Sequence, residues 1–320
     1  MLRRTLLSLF LAALAATSAL PTYAQEWPTK PIKLVVGYPP GGPVDTLARM
    51  LLPRISRELG QPVVVDNRPG AAGATGINAV ILGEPDGYTF GIGVLGVLAV
   101  LPHTGKPPFK TEEVNYVTLL TKSPHVLVSG KTTGFESLQA LTGAARQKPG
   151  RLNYGTPGAG SSTHLAGELF EQEAKVEMVH IPYRGGAPVM NALMAGEVEM
   201  ASVEISAVLP LRAKLNPLAV LSEKRSPLLP EVPTSAELGM PKLVSHSIYG
   251  VIAPNRTSAA IVEKFRAAVI AALTAPEVKT RIESQGQLVI PSTPAEYRKY
   301  MLDESGKWGA LIKTRDIRME

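Results

Sequence analysis

Cysteine is absent from the 320 residues, so disulfides, thiolate metal sites and a cysteine nucleophile are excluded. A lipid anchor on an N-terminal cysteine is excluded for the same reason, and we expect the mature chain to be free of the membrane. Aromatic residues make up only 5% of the chain. Few side chains are therefore suited to stacking on bases or sugars.

The sequence also lacks a concentrated positive charge. The formal net charge is +6, but lysine and arginine never form a run of five, so we predict no nucleic-acid partner. A content of 45% hydrophobic and 19% charged residues is typical of a globular protein. The length predicts about two domains.

The N-terminus has the pattern of a secretory signal. Met1–Arg4 is basic, Leu6–Leu20 is apolar, and Thr22–Ala24 fits a small-x-Ala cleavage site. The alternative is a membrane anchor, but about 15 apolar residues are too few to span a bilayer. We predict that residues 1–24 are removed, that Gln25 begins the mature chain, and that the protein is exported to a periplasm.

A strand, a glycine-rich turn and a helix follow one another between Leu34 and Met50. The turn is Tyr38–Gly42, Pro43 suits the first helical position, and Asp45 suits the positive end of the helix. Such a turn exposes backbone N–H groups that can bind an anion. We expect Asp45 to brace this turn more than to touch an anion. Leu152–Phe170 repeats the pattern.

The elements alternate as β-α-β-α-β twice, which predicts an α/β protein with helices on both faces of its sheets. Three helices end the chain, and they most simply cover the first sheet. Chain crossings near His125–Ser129 and Ser245–Gly250 would form a hinge. We predict one lobe from residues 25–125 plus 247–320 and a second from 126–246.

Three smaller features carry local predictions. Thr274–Glu277 and Thr293–Glu296 have the capping-box pattern of a helix start. Ser226–Pro241 is rich in proline and polar residues, which predicts a surface excursion. Gly91–Gly96 matches G-x-G-x-x-G, but it follows a third strand and lacks the acidic residue of a dinucleotide site, so we interpret it as a tight turn.

Patterns for catalysis are missing. The sequence has no G-x-S-x-G, no H-E-x-x-H and no phosphate-binding P-loop. The five histidines lack metal-ligand spacing. His164 and His180 could meet in space, but no third ligand is evident. We therefore predict no catalytic residue, no metal and no cofactor.

Three glycine loops follow strand ends, where open α/β sheets bind ligands. They are Tyr38–Asp45, Gly70–Gly76 and Gly155–His164. Their glycines carry no lysine or arginine between them, which favours a carboxylate over a multiply charged phosphate. The alternative is ordinary turn chemistry, since tight turns need glycine anyway. Hydroxyls are added by Thr75, Ser161, Ser162 and Thr163.

Two charged residues are candidates for the other end of a ligand. Arg184, in Tyr183–Gly186, could pair a second carboxylate, or it could be an ordinary surface arginine. Glu204 ends an apolar strand and could bind an ammonium or hydroxyl, or it could stay solvated.

Taken in order, these motifs resemble the substrate-binding proteins of tripartite tricarboxylate transporters, the Bordetella uptake gene (Bug) family. The resemblance covers essentially the whole mature chain. The segments that carry it are Gly37–Arg49, Val64–Gly73, Asp86–Thr89, Leu152–Ser161, Thr163–Phe170, Pro182–Gly185 and Lys224–Pro227.

The resemblance implies a two-lobed type II periplasmic-binding-protein fold that closes like a Venus flytrap. It implies a monomer that delivers a small organic carboxylate to the membrane permease subunits of a tripartite transporter. The expected ligand-binding residues are Tyr38, Gly41, Gly42, Asp45, Ala74, Thr75, Ser161, Ser162, Thr163, His164, Tyr183, Arg184, Gly185 and Glu204.

Two other functions are compatible with the same loops. An exported α/β enzyme could act on a carboxylate, although no nucleophile and base are evident in the sequence. A sensor could dock its ligand-bound form on a signalling receptor. The sequence does not select among amino acids, dicarboxylates, tricarboxylates and aromatic acids.

Overall fold

The structure is a computed structural model that describes residues 27–105 and 107–317. The predicted signal segment, residues 1–24, lies outside these ranges. Within them, no helix is both long enough and apolar enough to cross a membrane.

Ten strands form two connected sheets. They are β1 Ile32–Val36, β2 Val63–Asn67, β3 Thr89–Val94, β4 Asn115–Gly130, β5 Asn153–Thr156, β6 Val179–Pro182, β7 Met200–Glu204, β8 Leu215–Val220, β9 His246–Ala253 and β10 Leu288–Val289.

Helices cover the sheets. The α-helices are α1 Pro43–Leu59, α2 Ala74–Ile81, α3 Leu101–Thr104, α4 Leu138–Gln147, α5 Ser162–Ala174, α6 Gly186–Ala195, α7 Ile205–Val208, α8 Ala259–Leu273, α9 Pro276–Glu283 and α10 Pro294–Arg315. A π-helix spans Gly96–Val100, and short 3₁₀ helices span Ala71–Gly73, Thr111–Glu113, Lys131–Thr133 and Leu209–Lys214.

The first sheet has the strand order β2-β1-β3-β9-β4, and β10 pairs with β4. Strands β1, β2 and β3 run parallel to one another. Strand β9 is antiparallel to both of its neighbours, β3 and β4. The carboxyl ends of β1 and β2 therefore meet at one edge, which places the loops after them side by side.

The second sheet continues through the 16-residue strand β4. As far as Pro124, β4 pairs with β9; from His125 onward it pairs with β7 and β8. Strands β7, β5 and β6 are parallel to one another. One long strand thus links the two sheets, and the loops after β5 and β6 lie at the carboxyl edge of the second.

Local sequence explains most helix ends. Pro43 begins α1, and Gly60 ends it in the left-handed conformation that glycine adopts without strain. The capping box predicted at Thr293–Glu296 is confirmed at the start of α10. The final helices pack over the first sheet as expected: Phe265 of α8 stacks on Phe90 of β3 with ring centroids 3.7 Å apart.

Three local predictions were wrong. Thr274 does not cap α9, because its hydroxyl donates to Ile270 O at the end of α8, and Ala275 precedes α9 without a side-chain cap. The segment 226–241 is partly internal, since Leu229 is fully buried and Val232 nearly so. Gly91–Gly96 is not a tight turn: it continues β3 and leads into the π-helix.

Candidate functional site

The two first-sheet loops are locked together by glycines. A Cβ added to Gly76 would lie 2.6 Å from Gly37 Cα, and one added to Gly37 would lie 2.6 Å from Gly73 O. Both contacts are with backbone, which cannot rotate away. The end of β1 and the start of α2 can therefore approach this closely only without side chains. On the outer side, the half-buried Tyr38 donates its hydroxyl to Ala72 O at 2.8 Å.

Asp45 braces the first loop. Its side chain is only 2% exposed and accepts hydrogen bonds from Gly41 N, Arg49 Nε and Asn67 Nδ2 at 2.8–2.9 Å. The Arg49 hydrogen bond is the largest effect that lowers the pKa of Asp45, to about 2. Asp45 is thus an ionised carboxylate whose bonds are directed at the loop and helix around it.

The helices that follow these loops begin without side-chain caps. Gly42 precedes α1 and Gly73 precedes α2, and neither helix start receives a side-chain hydrogen bond. The first N–H groups of a helix need an external acceptor. Ala74, buried, and Thr75, exposed, are the first residues of α2. This edge of the first sheet therefore presents the positive ends of two helices, although Ala74 N and Thr75 N already donate to carbonyls of the preceding turn.

The glycine loop on the second sheet is built differently. Ser161 Oγ accepts from His164 N, donates to Gly158 O at 2.7 Å, and lies 2.8 Å from Thr163 Oγ1. Ser161 is therefore the N-cap of α5. The hydroxyls of Ser161 and Thr163 are occupied by the loop itself.

His164 supports this loop from behind. Its Nδ1 accepts from Gly160 N at 3.1 Å, so the ring proton lies on Nε2, which is 3.5 Å from Glu168 Oε1. The ring stacks on His180 at a centroid distance of 3.8 Å. Burial is the largest effect on His180, and it lowers the pKa of that ring to about 3. The two histidines do meet, as a stacked pair behind the loop.

A buried ion-pair group continues this support. Arg315, the last residue of α10, lies 3.0 Å from both Glu168 Oε2 and Glu171 Oε2. Glu168 also accepts from the Tyr154 hydroxyl at 2.7 Å. The C-terminal helix, which packs on the first sheet, thereby holds the helix that begins at the second-sheet loop.

The loop after β6 lies against the glycine loop Gly155–His164. Gly185 N donates to Pro157 O at 3.2 Å, and Gly185 precedes α6 without a side-chain cap. The Tyr183 ring is 3.2 Å from the position of a Cβ on Gly155. Arg184 is exposed to solvent.

A chain of polar side chains crosses the junction of the sheets. His125, fully buried on β4, lies 2.9 Å from Ser245 Oγ and 3.0 Å from Ser247 Oγ. Ser162, at the start of α5, is within 3.4 Å of both His125 Nε2 and Ser247 Oγ. Burial is the largest effect that lowers the pKa of His125, so this ring is neutral.

Glu204 lies at the end of this row of polar side chains. Its Oε1 accepts hydrogen bonds from the hydroxyls of Ser247 and Tyr249 at 2.8 and 2.5 Å. Burial is the main cause that raises its pKa, and the hydroxyls of Tyr249, Ser247 and Ser123 oppose that rise. The predicted Glu204 therefore lies within an internal network and is not a solvated surface carboxylate.

The two sheets face each other at these loops. A Cβ on Gly96, at the start of the π-helix, would lie 3.6 Å from Gly160 O of the second-sheet loop. Burial and the nearby Glu204 raise the pKa of Tyr38 above its ordinary value. The structure thus brings Glu204 together with the three glycine loops, Tyr38–Asp45, Gly70–Gly76 and Gly155–His164. Arg184 remains at the periphery.

The sequence prediction missed His125, Ser245, Ser247 and Tyr249. A signal was present, because hydrogen-bonding side chains recur at every second position, at 121, 123 and 125 and at 245, 247 and 249. Alternation places them on one face. Among the residues that the structure describes, no group of three histidine, aspartate or glutamate side chains could hold a metal ion.

Comparison with known sequences identifies the class. The profile described as "Tripartite tricarboxylate transporter family receptor" matches residues 47–317. The UPF0065 protein of the tcbD-tcbE intergenic region in Pseudomonas sp. strain P51 is 34% identical over 97% of this chain and 94% of its own. Protein BugT of Bordetella pertussis is 33% identical over 94% of each chain.

Solved structures agree. A Rhodopseudomonas palustris protein with adipate has 32% identity and a TM-score of 0.85, covering 92% of this chain and 99% of its own. MatC of the same organism, with bound malate, has 29% identity and a TM-score of 0.81, covering 89% and 100%. The periplasmic binding protein BugD has 26% identity and a TM-score of 0.82, covering 92% and 100%.

This chain belongs to the tripartite tricarboxylate transporter receptor family. It is a solute-binding receptor of that transporter class with the two-lobed fold of its relatives.

Proposed function

We propose that this receptor captures a small organic carboxylate in the cleft between its lobes and delivers it to the permease subunits of a tripartite transporter. The observation that carries the proposal is the pair of uncapped helix starts at Gly42 and Gly73, with the Ser161 loop opposite. The positive ends of helices suit an anion. Malate and adipate, which two related proteins bind, are both carboxylates.

The proposed lobes are residues 25–125 with 247–320, and residues 126–246. The exchange of β4 partners between Pro124 and His125 supports this division. Ligand contacts to both lobes would select the closed state, because a ligand shifts a conformational equilibrium toward the state that it binds better. The closed state is then the form that the permease recognises.

Within this cleft, the fourteen predicted residues divide by role. Direct contacts are assigned to the backbone N–H of Gly42 and to the hydroxyls of Thr75 and Ser162, whereas Gly41 and Ala74 donate their N–H groups within the loops. Asp45, Ser161, Thr163 and His164 hold the loops in place, since their polar groups are already bonded within them. Tyr38, Tyr183 and Gly185 shape the walls, the exposed Arg184 lies at the rim, and Glu204 is assigned to the other end of the ligand.

We place the mature receptor in the periplasm, as a monomer and without catalytic activity. The N-terminal pattern of the sequence and the periplasmic relative BugD support this location. An exported enzyme is the rival function. A sensor for a signalling receptor would use the same cleft, and its partner would separate it from a transport receptor.

A thermal-shift screen of the chain from Gln25 onward tests the proposal. The probes are mono-, di- and tricarboxylates, amino acids, inorganic phosphate and sugars. A ligand at 100 times its Kd stabilises the folded state by about 2.7 kcal/mol, so we expect a clear rise in Tm with one class of carboxylate. Stabilisation by phosphate or sugars alone would contradict the proposal, and chemical conversion of the stabilising acid would establish the enzyme.

A further inference from the structure

Buried polar side chains occupy one face where the two sheets join. Ser123 and His125 alternate on β4, Ser247 and Tyr249 alternate on β9, and Glu204 ends β7. The first two are fully buried, and Ser247 and Tyr249 are each 5% exposed. The interior of a sheet normally carries apolar side chains, so this polar face requires a specific partner.

The hydrogen bonds along this face all run toward Glu204. Ser247 and Tyr249 donate their only hydroxyl protons to Glu204 Oε1. Because the Ser247 proton is used, His125 Nε2 must donate to Ser247 Oγ, and Ser245 must then donate to His125 Nδ1. Such a directed chain strengthens the acceptor at its end.

The other oxygen of Glu204 has no partner. Oε2 is buried, and Ser123 Oγ is likewise buried and without a hydrogen bond. Although the two atoms do not meet hydrogen-bond geometry, the Ser123 hydroxyl faces the Glu204 carboxyl closely enough to lower its pKa as a donor. Buried polar atoms in folded proteins are nearly always hydrogen-bonded, so these two atoms mark the place of an absent group.

The surrounding groups identify the charge of that group. His125 is neutral, since its pKa is well below the ordinary value, and burial keeps Tyr38 and Tyr249 protonated. Ser123 and Ser247 are uncharged. The charged form of Glu204 therefore has donors on Oε1 but no positive partner among these groups, and burial raises its pKa. A cationic donor would supply both the missing hydrogen bond to Oε2 and the missing positive charge. Hydrogen bonds between charged groups are also the stronger ones.

We propose that Glu204 Oε2 and Ser123 Oγ bind the ammonium group of the ligand, so that the carboxylate held by the glycine loops belongs to an amino acid. This inference rests on the proposed function and narrows it to a substrate class. Glu204 is then the specificity-determining residue, and Tyr249, Ser247 and His125 orient it.

Isothermal titration calorimetry of the mature chain with matched acids tests the inference. Each set shares a skeleton: butyrate with 2-aminobutyrate; succinate with malate and aspartate; and glutarate with 2-hydroxyglutarate and glutamate. The amino member should bind about 10- to 100-fold more tightly than its unsubstituted partner. Glu204→Gln should remove that preference while retaining affinity for the unsubstituted acid. Glu223→Gln, on an exposed glutamate, is the matched control.

The wild-type series decides the question even if a Glu204 variant folds poorly. Equal or weaker binding of the amino members would overturn the inference and leave the carboxylate function intact. A hydroxy member that binds as tightly as the amino member would also overturn it. Retention of the amino preference in Glu204→Gln would assign the ammonium to another group. If no acid bound in any form, the proposed function itself would fail.

Discussion

The glycine loops of the two sheets reach the cleft with different kinds of donor. On the first sheet, α1 and α2 begin at glycines without side-chain caps, so no side chain occupies the positive ends of these helices. On the second sheet, Ser161 caps α5 and its hydroxyl is bonded to Gly158. The same Gly-rich, strand-to-helix pattern thus gives an open anion site on one side and a self-satisfied loop on the other.

The difference shows that hydroxyls in a glycine loop are not automatically ligand contacts. Ser161 and Thr163 stabilise their own helix start, and His164 holds Gly160. The second sheet contributes instead through side chains that come from elsewhere in the chain, Ser162 and Glu204, which join a network with β9. We therefore expect the first-sheet loops to bind through backbone and the second-sheet side to select through side chains.

The largest expected effect is on the first-sheet loops. In Gly76→Ala, the new Cβ would lie 2.6 Å from Gly37 Cα and force the two loops apart. We expect a loss of about 3 kcal/mol in the free energy of unfolding, together with loss of ligand binding, both measured by denaturant titration with and without ligand.

Gly42→Ala is the matched control for that variant. A Cβ there would meet only Pro39 O at 3.7 Å, and Gly42 has an ordinary φ of −74°. Its effect on stability should stay within about 1 kcal/mol. An equal loss in the two variants would contradict the idea that close backbone approach builds the first-sheet site.

A middle-sized effect concerns the ion-pair group behind the second-sheet loop. Burial is the largest effect on Glu171 and raises its pKa to about 7. A carboxyl with a raised pKa in the folded state favours its protonated form, so stability is lost as the pH rises from about 4.5 through 7. Glu168, whose pKa is lowered to about 2, acts in the opposite sense and loses its contribution below pH 4.5.

Glu171→Gln should therefore flatten the Tm profile between pH 5 and 8, by an amount equivalent to about 2 kcal/mol. The acidic decline below pH 4.5, which belongs to Glu168, should remain. Glu173→Gln, on the same helix, is the control. An unchanged slope in Glu171→Gln would mean that this carboxyl is not the titrating group.

The smallest effects separate two adjacent serines of the second-sheet loop. Ser161→Ala removes an N-cap and should cost about 1 kcal/mol of stability, with ligand affinity little changed once the protein is folded. Ser162→Ala should leave the Tm nearly unchanged and weaken ligand binding several-fold, because its hydroxyl faces the His125 and Ser247 network. Calorimetry and thermal melts on both variants measure the contrast, and the reverse pattern would refute it.

Much of the candidate site was predictable because it is encoded locally. Pro43, Asp45 and Gly60 define α1 through helix-end chemistry, and the capping box at Thr293 defines α10. The glycine loops follow from their position after strands. The hydrogen-bond network around Glu204 was not predictable in this way, since His125, Glu204 and Ser247 are far apart in the chain and meet only through antiparallel pairing of β4 with β7 and β9.

The failed predictions have the same cause. Thr274 matches a capping box, yet its hydroxyl finds Ile270 O of the preceding helix first. The polar segment 226–241 has a surface-like composition, but Leu229 and Val232 pack into the hydrophobic core of the second sheet. In both cases a local pattern competed with a tertiary contact that the pattern does not contain.

By itself, the sequence determined the class of fold, the order of its elements and the glycine loops, because helix ends, strand alternation and turns depend on neighbouring residues. The tertiary structure decided which groups of the glycine loops are already hydrogen-bonded, and that the half-buried Glu204 is held by Tyr249 instead of being solvated. Those properties depend on which distant groups satisfy each polar atom, and only the packed chain brings those groups within hydrogen-bond distance.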